Sequence, residues 1–285
     1  MRVRYGSVRY ATPTTLAEAL ELMVEPDMTA IAGGTDFYPG RVGNLQEGPV
    51  LDLGGLSELR GIEVSATQIR IGALTTWSEI AGKDLPDGCR ALQQAAVTVG
   101  GWQIQNVGTI GGNLCNSSPA ADGVPPLLVV DAAVDLASAS GVRQMPLQDF
   151  LLDYRRTALR PDELLTAVTI PRHGAEGRSW FLKLGSRRYL VISVVMVGAR
   201  LVAAGDGTIT EARVAVGACS PVARRLVALE RDLVGVDVEA ASAVVDDRHL
   251  EMLTPIEDVR ASAGYRRDAA RVLVQRALDR CAVPA

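Results

Sequence analysis

Two glycine-centred stretches hold the residues best suited to chemistry. The longer runs from Gly108 to Asp122 and reads Gly-Thr-Ile-Gly-Gly-Asn-Leu-Cys-Asn-Ser-Ser-Pro-Ala-Ala-Asp. It sets Gly111 and Gly112 among Thr109, Asn113, Asn116, Ser117 and Ser118. Adjacent glycines let backbone N–H groups approach an anion without interference from a Cβ, which is phosphate chemistry. The shorter stretch, Ile31-Ala32-Gly33-Gly34-Thr35-Asp36, has the same character and follows a short apolar run. One isolated Gly-Gly pair suits an ordinary tight turn better than a ligand. Two such pairs, each beside Thr and Asn or Asp, favour a nucleotide on which both turns close. Neither stretch is a Gly-x-Gly-x-x-Gly, and no Gly-x-x-x-x-Gly-Lys-Ser/Thr occurs, so dinucleotide-fold and P-loop readings lose their main support.

Other chemistries find little footing. The four cysteines include no Cys-x-x-Cys pair of the kind that seeds zinc or iron–sulfur ligation, so the chain is expected to carry no cluster of its own. His173 and His249 are isolated in polar, loop-like contexts and read as surface histidines. Of the 29 basic residues only Lys83 and Lys183 are lysines, which singles out Lys183 as a place where a compact point charge is wanted. A net charge of −4 with scattered arginines argues against nucleic acid as a partner. No apolar run approaches the ~18 residues of a membrane span. The N-terminal Met-Arg-Val-Arg-Tyr-Gly lacks the apolar core of a secretory signal, so a cytoplasmic location is expected.

The elements that must position these residues read as α+β. At 285 residues two domains are expected. Thr15 to Glu18 is a capping box that opens a short amphipathic helix with Leu16, Leu20 and Met23 on one face. Residues 28–32 read as a buried strand delivering the first glycine turn, and 50–53 as its neighbour. A hairpin is expected over 60–64 and 68–73, helices at about 77–81 and 90–99, and strands at 133–137 and 163–170. The polar loop 173–178 is the expected boundary. Beyond it, 180–184, 194–202 and 208–216 read as three antiparallel strands, and 265–281 as the longest helix. Without regular β-α alternation, this mixture reads as α+β and not as a doubly wound sheet.

The order Ala-Gly-Gly-Thr-Asp (32–36), Val-Gly-Thr-Ile-Gly-Gly-Asn (107–113) and Ser-Pro-Ala-Ala-Asp (118–122) resembles the FAD-binding subunit of the molybdenum hydroxylases, the family of xanthine dehydrogenase and carbon monoxide dehydrogenase. Tyr154-Arg155-Arg156-Thr157, Leu164-Leu165 and Lys183-Leu184-Gly185-Ser186-Arg187-Arg188 fit the same pattern, so the resemblance spans essentially the whole chain. It implies a two-subdomain FAD-binding fold over 1–173, divided at about residue 55, followed by a smaller domain over 178–285 with a three-stranded antiparallel sheet and a helix bundle. It implies FAD here, with molybdopterin and 2Fe-2S clusters in partner subunits: a molybdopterin-binding large subunit and an iron–sulfur subunit. This chain would pass electrons from those clusters through flavin to an external acceptor.

By the same resemblance, Ile31, Ala32, Gly33, Gly34, Thr35 and Asp36, with Gly111, Gly112 and Asn113, are expected to hold the FAD diphosphate, and Thr109 and Asn113 to add side-chain hydrogen bonds. Asp122 is expected on sugar or ribityl hydroxyls, Val99 and Leu165 on the flavin side, and Lys183 near the isoalloxazine, where positive charge favours the reduced ring. Tyr189 is a candidate cover for the flavin. Two other classes stay open at this point: a free-standing FAD-dependent oxidoreductase, and a nucleotide-binding module without redox chemistry.

Overall fold

A computed structural model describes residues 9–42, 48–187 and 190–283. In chain order the first sheet is small and parallel, with β1 (Tyr10–Ala11), β2 (Thr29–Ile31) and β3 (Val50–Asp52) arranged β1-β3-β2. Helix α1 (Leu16–Leu22) starts where the capping pattern predicts, because Thr15 Oγ1 accepts from the Glu18 N–H at 3.3 Å. Its Ala19 and Leu20 pack with Leu51, Leu53 and Leu56, which fixes where β2 ends and the first glycine turn begins.

The second sheet is antiparallel and carries the main core. After the hairpin β4 (Ile62–Val64) and β5 (Gln68–Gly72) come five helices: α2 (Trp77–Gly82), α3 (Arg90–Ala96), α4 (Trp102–Gln105), α5 (Ile110–Asn116) and α6 (Val124–Val129). Then follow β6 (Ala133–Ser138), β7 (Gly141–Pro146), α7 (Leu147–Phe150), the short hairpin β8 (Leu151–Asp153) and β9 (Arg156–Thr157), and β10 (Leu164–Pro171). The sheet order is β4-β5-β10-β6-β7. Seven of the eight β10 residues are buried, as a central strand covered on both faces requires, which is why it reads as a continuous apolar run. Trp77 and Phe150 are fully buried in this core, and truncating either to Ala removes roughly 3–5 kcal/mol.

The third sheet is antiparallel, β11 (Arg178–Leu184), β12 (Val195–Ala203), β13 (Ile209–Gly217) and β14 (Arg224–Arg225), so a short edge strand joins the three expected. Helices α8 (Val227–Leu233) and α9 (Ala263–Ala282) pack against it, with Leu273, Val274, Ala277 and Leu278 of α9 in the shared core. The sheet docks on α6, where a Cβ at Gly198 would lie 2.9 Å from the Pro125 carbonyl carbon. Arg200, with no exposed side-chain surface, reinforces that contact by donating to the Val129 carbonyl at 2.7 Å and pairing with Glu211. His249 departs from expectation. It is buried because its Nδ1 accepts the Asp246 N–H at 3.0 Å while Nε2 sits 3.0 Å from Asp232, so it is a capping residue and not a surface histidine.

Candidate functional site

The two glycine stretches meet because one glycine has no side chain. A Cβ on Gly33 would lie 2.0 Å from the Val107 carbonyl oxygen, so only glycine lets the turn after β2 press onto the segment that enters α5. Gly34 then adopts φ +66°, which turns the chain sharply. Among the described residues, the N–H groups of Gly34, Thr35 and Asp36 find no backbone acceptor. Successive unpaired N–H groups in such a turn form a concavity that attracts anions.

The second stretch differs from the turn expected. Gly111 and Gly112 occupy the first helical turn of α5, and Thr109 caps it by accepting the Gly112 N–H at 3.1 Å. They also divide their roles. Gly111 is buried against Ala73, whose carbonyl oxygen would lie 2.8 Å from an added Cβ, whereas Gly112 faces the cleft. Gly111 therefore serves helix–strand packing, and Gly112 serves the site.

Between these stretches lies a cleft in two connected lobes of about 770 and 890 Å³. The first lobe is lined by Ile31 to Asp36, Val99, Thr109, Gly112 and Asn113. The second takes in Thr35, Asp36, Val99, Asn113 and Asp122, and is walled on its far side by Ser220, Asp258 and Arg266 from the C-terminal half. Asn113 lines both lobes, and its Oδ1 is buried without a hydrogen-bond partner among the described residues. A buried polar atom left in this way calls for a ligand group to satisfy it.

Asp122 is the electrostatic centre of the second lobe. Its Oδ2 accepts from Lys183 Nζ at 2.6 Å and its Oδ1 from Ser193 Oγ at 2.6 Å, with the Lys183 and Asp122 side chains 10% and 7% exposed. Burial pushes the Asp122 carboxyl upward, against the opposing pull of the Lys183 ammonium and the two hydrogen bonds. Lys183 also donates to the Thr98 carbonyl at 3.3 Å. A cation paired this closely presents a dipole and not the free positive charge expected of it, although each Asp122 oxygen keeps a second lone pair for a hydroxyl donor.

Of the expected site residues, Gly111, Leu165 and Lys183 line neither lobe. Leu165 sits in β10 within the main core, where the apolar run of that strand places it. Lys183 reaches the site only through Asp122. Tyr189 and Arg188 lie outside the described residues. Three residues outside the expected set belong to the cleft: Ser193, which holds Asp122, and Tyr154 and Arg155, which line both lobes. The Tyr-Arg-Arg-Thr run was the available signal for the latter pair; nothing local marks Ser193.

Among the described residues no group of three or more His, Cys, Asp or Glu is arranged to hold a metal ion, and no helix is long and apolar enough to cross a membrane. Residues 6–173 match the FAD binding domain in molybdopterin dehydrogenase, and residues 180–281 match the CO dehydrogenase flavoprotein C-terminal domain. The nicotinate dehydrogenase FAD-subunit of Eubacterium barkeri is 43% identical over 65% of this chain and 66% of its own. The carbon monoxide dehydrogenase medium chain of Afipia carboxidovorans is 30% identical over 96% of both chains. In structure, the chain superposes on reconstituted CO dehydrogenase from Oligotropha carboxidovorans with a TM-score of 0.88 at 26% identity, covering 98% of this chain and 99% of that one.

Proposed function

From the premise that this chain belongs to the FAD-binding subunits of the molybdenum hydroxylase family, we propose that it is the electron-transfer subunit that takes electrons from iron–sulfur clusters of a partner and delivers them through FAD to an external acceptor. The observation that carries this reading is the two-lobed cleft, with unpaired N–H groups in one lobe and Asn113, whose buried Oδ1 has no partner among the described residues, in the lining of both. FAD, when bound, supplies the capacity to accept electrons singly and release them as a pair.

The chain's own residues bind and orient. The N–H groups of Gly34 to Asp36 suit a diphosphate because they put free donors against an anion, and Gly112, whose own N–H is held by Thr109, leaves room for it by having no Cβ. Thr109 Oγ1 accepts the Gly112 N–H and so holds the start of α5, while its O–H is left to donate to a phosphate oxygen. Asp122 suits the hydroxyls of the sugar or ribityl chain, because a carboxylate accepts from them and repels phosphate. Lys183 and Ser193 hold that carboxylate still, and Val99 walls the cleft. On this reading residues 1–173 bind the cofactor and 178–285 close the second lobe over it.

The experiment is to purify the chain alone and together with an iron–sulfur and a molybdopterin-binding partner, and to follow flavin bleaching on addition of organic substrate. Bleaching confined to the complex supports the relay. Turnover of an organic substrate by the isolated chain would replace it with a free-standing oxidoreductase.

A further inference from the structure

We infer that Arg155 is a diphosphate-binding latch: its guanidinium bridges the two lips of the cleft over the point where the lobes join, and there supplies the cation for the phosphate-bearing part of the ligand. The inference rests on the FAD reading and adds to it a residue and a device that cofactor binding as described so far does not contain.

The backbone aims this side chain. Arg155 is at the tip of the β8–β9 hairpin with φ +50°, a conformation rarely held by a residue with a Cβ. Its N–H donates to the Ser117 carbonyl at 2.9 Å, and Ser117 Oγ donates to the Asp153 carbonyl at 3.1 Å. Ser117 ends α5 and is itself left-handed at φ +45°. Two strained residues thus hold each other, and strain of this kind persists where the surroundings enforce it and clusters at ligand clamps. The result is a hairpin tip fixed to the far end of the helix whose first turn carries Gly112.

From that anchor the guanidinium spans the opening. It donates to Asn116 Oδ1 at 3.0 Å on α5 and to Asp36 Oδ2 at 3.0 Å on the turn after β2, so it joins the two glycine stretches from outside. Both ends of the ion pair are half exposed, 50% for Arg155 and 56% for Asp36. An exposed pair of this kind is weak and exchanges readily for a better acceptor. Arg155 lines both lobes, hence the crossbar lies over their junction. A ligand with a ring system in each lobe has its linker there, and the linker of FAD is a diphosphate.

Charge points to the same residue. Arg266, in the wall of the second lobe, is held by Asp258 and the Val194 and Ala218 carbonyls, with its Nε buried and unpartnered among the described residues; Arg260 beside it pairs with Asp258, and Arg41 of the first lobe donates to the Phe37 carbonyl and lies over the Phe37 ring. Lys183 is committed to Asp122. Arg155 faces the glycine turns and has a weakly held partner, and its planar fork matches phosphate oxygens. Asp36 next to a diphosphate would repel it unless Arg155 is present, so the latch also neutralises that carboxylate.

The test measures equilibrium affinity and dissociation rate for FAD, ADP and riboflavin on the purified chain, for wild type, Arg155→Gln, Arg155→Lys and Asp36→Asn, with melting temperatures confirming the fold. Arg155→Gln is expected to weaken FAD and ADP about tenfold or more, mainly through faster dissociation, and to flatten the salt dependence of binding, while riboflavin affinity stays within twofold. Arg155→Lys should recover part of the loss, because charge returns without the fork. Asp36→Asn should bind FAD at least as tightly as wild type. Wild-type affinity and dissociation rate in Arg155→Gln would overturn the latch while leaving the FAD reading intact; a loss in Asp36→Asn equal to that in Arg155→Gln would reduce Arg155 to a lip-to-lip tie. Failure of wild type to bind FAD at all would instead remove the functional reading.

Discussion

Replacing Lys183 with Met strands a buried carboxylate, and the size of the effect follows from the geometry. Asp122 is almost fully enclosed and takes its closest hydrogen bonds from Lys183 Nζ and Ser193 Oγ, each at 2.6 Å. Removing one partner of a buried ion pair destabilises by about 3–5 kcal/mol, and the surviving Ser193 bond sets the expected loss at the lower end. For a chain of this length that is a fall in melting midpoint on the order of 10 °C. The sign of the pH dependence is fixed by burial, which already pushes the Asp122 carboxyl upward and acts unopposed by the ammonium in the variant. A carboxyl raised in the folded state binds its proton more tightly folded than unfolded. The folded variant therefore gains relative stability as pH falls toward the unfolded value of about 4, and loses it as pH rises. Thermal and guanidinium unfolding of the cofactor-free chain, at pH 5 and pH 8, measures both effects. The double variant Lys183→Met with Asp122→Leu should be more stable than Lys183→Met alone, since it removes the stranded charge. A single variant within 1 kcal/mol of wild type, or a double variant less stable than the single, would refute the reasoning.

The paired glycines of α5 should separate cleanly. Gly111→Ala pushes a Cβ to 2.8 Å from the Ala73 carbonyl oxygen and should cost about 1–3 kcal/mol of stability in a melting experiment. Gly112→Val projects into the cleft and should abolish FAD retention, read from the flavin absorbance of the purified protein, with the cofactor-free melting temperature close to wild type. Glu163 accepts from Arg143 Nε and Nη2 at 2.7 and 2.8 Å, bonds that hold its carboxyl below the usual range. Its stabilising contribution is present above the unfolded value of about 4.3 and lost as pH falls through the folded one. Glu163→Gln should accordingly lose about 1.5–3 kcal/mol at pH 7, with the difference from wild type shrinking in urea titrations at lower pH.

How much of this was legible in the sequence depends on the range of the interactions involved. The Thr15 N-cap, the 60–73 hairpin and the long C-terminal helix are readable because local pattern decides them, although the Glu18 carboxylate accepts from the Thr14 N–H and so leaves the expected capping box incomplete. Helix α6 was not, because Pro125 and Pro126 sit in its first turn, where proline is tolerated, and an apolar run containing prolines does not announce a helix. The two glycine stretches stand out in the sequence by composition, yet the division between Gly111 and Gly112 depends on Ala73, a contact made across the fold. Lys183 stood out as one of only two lysines, while its neutralisation by Asp122 arises from residues 61 positions apart. Arg155 reaches a partner 119 residues away, so no local pattern could join it to Asp36.

The most direct test of the central claim is the flavin content of the purified chain. Acid precipitation followed by chromatography of the supernatant should release FAD at about one per chain and leave a colourless pellet. The cleft and its paired glycine stretches predict a dinucleotide held by noncovalent contacts alone. Yellow colour retained by the denatured protein, FMN in place of FAD, or a protein that takes up no flavin when supplied with excess FAD would contradict the account.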